Sequence, residues 1–339
     1  MRLLNKYLFA TFSHTFFPIF LTLYIITSII FLVKMAALTS VIQMSFLELM
    51  QLYSYSIPTI LFYTLPISYF VGTALTISKL SSEYEMIVIT SFGLNPLKTL
   101  RLFLTTTISV SLLLLIISLG LIPKAKALKE VFLNDKKQEA QFNINASEYG
   151  QKLGSWMIYI DEKKDDKFYD ITLLQLDDNK DTLTSAAYAT MINQDNNLNL
   201  KLKEGKSFII SDNFQQVDFE EMVLNNPGSK VKNIKSLNDI VAYWKDRELD
   251  LKKSKNFTFN ILISLFPLIS LFFIISIGYF NPRYNSNYAS FISSTIIVIF
   301  VLIANQLALR YPNAGLYAFP FIWIFISYIY YSFTIKKLY

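Results

Sequence analysis

The chain has 339 residues, 53% hydrophobic and 16% aromatic, with a mean hydropathy of +0.38 and a formal net charge of +6. Its apolar residues run in blocks of about twenty, longer than a soluble core helix needs, so the sequence reads as a polytopic membrane protein. Cysteine is absent, which excludes a disulfide framework, a thiolate nucleophile and a cysteine metal site; the positive charge reads as topology anchors, not as a nucleic-acid surface.

Arg2 and Lys6 precede a first apolar run over residues 12–33, too long and too aromatic for a cleaved signal peptide, which Lys34 closes. The single histidine, His14, sits at the start of that run as an interfacial polar residue. Phe12, Phe16, Phe17, Phe20, Tyr24 and Phe31 make the run aromatic, as packing and interface anchors or as the lining of an acyl-chain cavity. A second span is expected over 57–77, with Pro58 and Pro66 tolerated inside it, and a third over 102–122, ended by Pro123.

Between spans two and three lies KLSSEYEMIVITSFGLNPLKTLR (79–101), predicted as a short amphipathic helix over about 79–95. Ser81 or Ser82 can cap its start, Glu83 and Glu85 complement its first turn, and Gly93 and Pro96 end it.

The character changes over 124–256. A charged helical stalk (124–139) precedes alternating segments such as Trp156-Met-Ile-Tyr-Ile160 and Leu198-Asn-Leu-Lys-Leu202, whose period of two marks half-buried strands. Polar clusters at 161–167, 177–181, 194–197 and 204–206 read as turns, giving a small all-β sandwich or roll. Trp156, Ile158 and Ile160 belong either to its ordinary core or to a groove for acyl chains. Helix returns over 236–255, capped by Ser236 with Asp239 three residues on. Spans four, five and six follow at 257–280, 288–309 and 315–335, with Asn281-Pro-Arg283 as a tight loop after span four. The expected division is 1–123 (three spans), 124–256 (β domain with helical stalks) and 257–339 (three spans).

Short-loop charge sets the orientation. With the N-terminus inside, Arg2, Lys6, Lys79, Lys98, Arg101, Arg283, Lys336 and Lys337 lie inside, against Lys34 and Arg310 outside, and the β domain is placed outside the inner membrane. No catalytic centre is legible. Gly205-Lys206-Ser207 has the end of a P-loop but Leu200 stands where its first Gly belongs, HExxH, GxSxG and GxGxxG are absent, and the six spans hold no Asp or Glu. Energy for any work is expected from a partner.

The order three spans, β domain, three spans, with Ser82-Glu-Tyr-Glu85 opening a helix that ends at Ser91-Phe-Gly93-Leu and with Asn281-Pro-Arg283 between spans four and five, resembles the lipopolysaccharide-export permease family. The resemblance covers essentially the whole chain. It implies six transmembrane helices with an inserted, jellyroll-like periplasmic β domain, and a permease subunit in the bacterial inner membrane. It also implies pairing with a homologous permease subunit, a cytoplasmic LptB-like ABC ATPase dimer that uses the ATP, a single-span LptC-like accessory subunit and an LptA-like periplasmic bridge, with lipopolysaccharide as cargo. No cofactor is expected on this chain. Glu83, Glu85, Gly93 and Arg283 are implied in coupling to the ATPase; the alternatives are helix-dipole complements for the two carboxylates and a simple helix stop for Gly93. Lys34 and, more weakly, Arg310 are implied at the lipid phosphates, with snorkelling as the alternative. Asn305 and Gln306 face either the cavity or a partner helix. Two other classes compete with this reading: a mechanotransmitting subunit that moves no lipid, and a membrane-embedded enzyme acting on envelope lipids.

Overall fold

A computed structural model describes residues 2–39, 44–91, 96–142, 151–153, 156–164, 167–176, 181–194, 197–210, 214–225, 236–248, 250–284 and 286–336. Two compact units emerge. One comprises Met1–Ala37, Phe46–Lys129 and Asn233–Tyr339, the other Leu38–Ser45 and Glu130–Lys232.

The larger unit is helical. In chain order it holds α1 (Arg2–Thr39), α2 (Phe46–Ser54), α3 (Ile57–Ser82), α4 (Glu85–Ser91), α5 (Pro96–Ile116), a π turn (Ile117–Leu121), the start of α6 (Ile122–Phe142), α7 (Leu237–Lys245), α8 (Leu251–Ile269), α9 (Leu271–Gly278), α10 (Ala289–Arg310) and α11 (Pro312–Tyr331). Among the described residues five helices are long and apolar enough to cross a membrane, and six if α8 and α9, bent by 46° at Ser270, form one span. The six expected spans are therefore present, the fourth of them broken.

A helix break inside hydrocarbon needs donors and acceptors from neighbouring side chains. Both breaks have them. At Ser270 the indole of Trp323 donates to Ser270 Oγ at 2.9 Å, and Ser327 Oγ donates to the Ile269 carbonyl at 3.4 Å. The second irregularity corrects the expectation that Pro123 ends span three. The helix runs on through it into α6. Proline brings no N–H, so the carbonyls that would have received it, Leu119 in an α turn and Ser118 in a π turn, would be stranded. Trp244 Nε1 donates to Leu119 O at 2.9 Å and Asn260 Nδ2 donates to Ser118 O at 3.3 Å.

Four further boundaries depart from the pattern. α1 continues past Lys34 to Thr39, so that lysine lies within a helix, not at its end. A short helix, α2, fills the first loop, and its Tyr53 hydroxyl bonds Ser28 and Tyr24 of α1. The helix expected over 236–255 is divided: Ser236 and Asp239 do form the capping box of α7, but the backbone then tightens over Asp246–Glu248 and Asp250 caps α8 afresh through the N–H groups of Lys252 and Lys253. Residues 124–129, 236–248 and 250–256 pack with the helical unit because Trp244 is pinned to span three and packs against Phe257 with ring centres 5.1 Å apart.

The core of this unit is aromatic. Phe12 packs against Phe16, Tyr69 and Phe103, so the buried part of the first-span aromatics is packing, whereas Phe17 is exposed. Gly72 lets α1 lie directly on α3, since a Cβ there would stand 3.2 Å from Phe16 Cα. His14 is exposed.

In the other unit the described strands form one antiparallel sheet, neighbours in sequence order: β1 (Gln151–Leu153), β2 (Trp156–Lys164), β3 (Lys167–Gln175), β4 (Asp181–Gln194), β5 (Asn197–Ile210) and β6 (Phe214–Asn225). The all-β domain is as the alternation predicts, but its described strands make a single meander, not two sheets. Ile158, Ile160, Ile171, Leu173, Ala189 and Leu202 bury one face, with Trp156 packed against them. The turn expected at 204–206 is a correction: these residues lie within β5. Glu204 adopts φ 52° and, across the sheet, Asp170 adopts φ 48°, both between the rows Tyr169↔Tyr188↔Lys203 and Ile171↔Ala186↔Gly205. The polar residues there mark a local departure from the pleat, and Gly205 is required because a Cβ would stand 2.4 Å from the Phe219 ring and 2.5 Å from Ser185 O. The cluster at 161–167 also overreached: Asp161 to Lys164 continue β2 and Lys167 begins β3.

Candidate functional site

The stretch joining spans two and three is built differently from its expected form. α3 does not stop before Ser81; it continues to Ser82, and Glu83 is its C-cap, with its N–H donating to Lys79 O at 3.0 Å. Tyr84 then adopts φ 62°, the left-handed conformation that a tyrosine adopts only when its surroundings impose it. α4 begins immediately after, at Glu85, and is anchored by the buried Met86. Ser81 and Ser82 are thus the last turn of α3, not caps of the next helix, and Glu83 faces the negative end of a helix dipole. Only Glu85 has the first-turn position assigned to both.

Three contacts tie this elbow to the rest of the unit. Ser81 Oγ donates to the Gly278 carbonyl at 2.8 Å, where α9 ends. Ser78 Oγ donates to Asn287 Oδ1 at 2.8 Å, and Asn287 Oδ1 also accepts from Ala289 N–H at 3.1 Å, so the loop between spans four and five is fastened to the end of α3. The Tyr7 hydroxyl of α1 lies 2.8 and 2.6 Å from the two carboxylate oxygens of Glu85. Sequence reading missed Tyr7 and Asn287. Neither has a local signal, since their partners are 78 and 209 residues away.

Asn281-Pro-Arg283 is the tight loop it was expected to be: Asn281 Oδ1 accepts from Arg283 N–H at 3.0 Å and Asn281 O from Tyr284 N–H at 3.1 Å. Arg283 is exposed beside it. α4 and this loop line one groove of about 800 Å³, with Ile87 on one side and Tyr279, Tyr284, Tyr288 and Tyr330 around it. Glu85 and Arg283 therefore belong to one end of the bundle, flanking an aromatic groove with a half-buried carboxylate and an exposed guanidinium available for charge-assisted contacts. Gly93 lies outside the described residues.

α5 carries the chain about 30 Å from this end, at 1.5 Å per residue over its 21 residues. Lys34 is exposed, with its ammonium 5.8 Å from the Phe31 ring centre. Its charged neighbour is Lys129 of α6, which is half-buried and close enough for the two ammonium groups to repel. Two cations at this end of the bundle, one of them partly desolvated, suit an anionic ligand. Lys129 was missed because the stalk it belongs to is rich in lysine. Arg310 is the exposed last residue of α10, where it complements the helix dipole, and no contact joins it to Lys34 among the described residues. Asn305 is half-buried and Gln306 exposed on α10. Among the described residues no three His, Asp or Glu side chains group as a metal site.

A family model described as lipopolysaccharide export system permease LptF/LptG matches residues 6–335, nearly the whole chain. A search of curated proteins returned no match.

Proposed function

Because the chain belongs to the lipopolysaccharide export system permease LptF/LptG family, we propose that it takes lipopolysaccharide out of the inner membrane together with a homologous permease subunit. A separate cytoplasmic ATPase dimer drives it and a periplasmic bridge receives the lipid. α4 is the element the ATPase pushes. The observation that carries the reading is the fastening of its first residue, Glu85, to Tyr7 of span one, beside the Ser81 bond to the end of span four. A displacement of α4 then moves span one and span four together rather than bending a loose loop. Span one packs on the unit along one face and is exposed along the other, so less packing opposes its movement than holds the more deeply buried span two. At its far end Lys34, with Lys129, meets the lipid phosphates, and Arg310 serves the same leaflet.

The β unit lies on the periplasmic side and receives the lipid. Its last strand, β6, is twelve residues long and has a neighbour on one side only among the described strands, which offers an edge for a neighbouring β domain. ATP is bound by the partner and no cofactor by this chain.

Copurification from native membrane with a C-terminal tag tests this, comparing the intact chain with Glu85→Lys and reading both ATPase and bound lipopolysaccharide. The variant is expected to lose the ATPase and keep the lipid. An intact chain that brings down ATPase but never lipid would leave a mechanotransmitter, and an intact chain without ATPase would overturn the reading.

A further inference from the structure

A second groove, of about 810 Å³, opens beside the π turn of span three, at the end of the bundle remote from α4. Leu115, Ile116 and Leu119 form one wall and Ile240, Val241 and Trp244 of α7 the other. It exists because of how α7 is held. Trp244 is held by the carbonyl that Pro123 leaves free and backs onto Phe257, so the amphipathic helix stands off from the span instead of closing on it. Gly120 faces this space, and a Cβ added there would meet no atom within 4 Å. The volume is that of a small-ligand site, and the walls are apolar.

The rim is not. Lys245 and Arg247 line the groove, and two carboxylates near them, Asp239 and Asp246, are engaged elsewhere. Asp239 closes the α7 capping box and Asp246 lies 3.8 Å from Lys253. Among the described side chains neither Lys245 nor Arg247 has an ion-pair partner; the Arg247 guanidinium lies 4.3 Å above the Phe257 ring. Hydrocarbon walls under two cations, at the end of a membrane-spanning helix, match an amphiphile with a negative headgroup.

We propose that this groove holds one anionic glycerophospholipid of the leaflet remote from α4, an acyl chain along the two apolar walls and its phosphate on Lys245 and Arg247. Charge selects this occupant, since a zwitterionic lipid would bring its own cation to a rim that already carries two. The site stands independently of the export reading.

The full chain in nanodiscs, titrated with phosphatidylglycerol or phosphatidylcholine bearing brominated acyl chains, reports occupancy through quenching of Trp244, after subtraction of the same titration of Trp244→Phe, which carries only Trp156 and Trp323. Saturable quenching is expected at about tenfold lower mole fraction of phosphatidylglycerol than of phosphatidylcholine. Lys245→Glu with Arg247→Glu removes that preference. Gly120→Leu, whose Cβ enters open space and whose branched end projects into the groove, removes the saturable phase for both lipids while the thermal midpoint stays at the wild-type value. Equal titrations of the two lipids by the wild-type chain, or saturable quenching that survives Gly120→Leu, would overturn the site. Complete displacement of the brominated lipid by equimolar lipopolysaccharide would overturn its assignment to a glycerophospholipid.

Discussion

Gly278→Ala tests the crossing that couples the two halves of the helical unit. A Cβ at this position would stand 2.6 Å from Ile77 Cβ, 2.8 Å from Ile77 Cγ2 and 2.9 Å from the Ala74 carbonyl oxygen. Carbon atoms rest at about 3.5–4.0 Å, so α3 and α9 must separate by roughly 1 Å. Ile77 is 1% exposed and β-branched, so it has no rotamer to retreat to. Overpacking of this kind costs about 1–3 kcal/mol. Separation also lengthens the Ser81 hydrogen bond to Gly278 O, worth roughly 0.5–1.5 kcal/mol more. We expect a loss of about 1.5–4.5 kcal/mol, measured by unfolding in mixed micelles. Gly120→Ala is the control: with nothing within 4 Å and a helical backbone, it should be neutral or more stable by up to about 1 kcal/mol. A Gly278→Ala variant within about 0.5 kcal/mol of wild type, or a Gly120→Ala variant as costly as Gly278→Ala, would refute the contact geometry.

Trp244→Phe strands the Leu119 carbonyl and should cost about 1–3 kcal/mol; adding Pro123→Ala restores a backbone donor and should recover part of it in the same unfolding assay, which a merely space-filling tryptophan would not allow. Tyr7→Phe removes the hydroxyl from Glu85 and should leave stability within roughly 1 kcal/mol of wild type, because Tyr7 is exposed and Glu85 only half-buried, yet lower lipid-stimulated ATP hydrolysis in the assembled complex; unchanged stimulation would remove Tyr7 from the transmission path. In the β unit, hydrogen bonds from Lys201 and then Lys203 hold the Glu221 carboxyl below the usual carboxylate range. A folded value depressed below the unfolded one gives stability that is present above about pH 4.5 and lost as pH falls through the folded value. Glu221→Gln should therefore flatten the dependence of the sheet's infrared signal on pH below 4.5, and high salt should do the same; an unchanged acid midpoint would show that the pairs are not coupled to folding.

Much of the architecture follows from the sequence because its causes are local. Twenty apolar residues without a carboxylate have no stable alternative to a span, strict alternation from Leu198 to Leu202 has none to a half-buried strand, and Ser236 with Asp239 closes its capping box within one turn. The candidate site was legible in part for the same reason: Glu85 does open a short helix and Asn281 does turn the chain before Arg283. What tertiary structure decided are the places where one rule was overridden from a distance. Pro123 ought to stop a helix, and continues one because an indole 125 residues on from Leu119 donates the hydrogen bond that the proline cannot. Glu204 and Gly205 look like a turn, and stay in a strand because Phe219 occupies the space above the glycine. Glu83 and Glu85 look equivalent in sequence. Tyr84 in a left-handed conformation separates them, leaving one at the end of α3 and giving the other to α4 and Tyr7. In a medium without water a backbone group takes whichever partner the fold brings to it, and sequence separation carries no information about which one that will be.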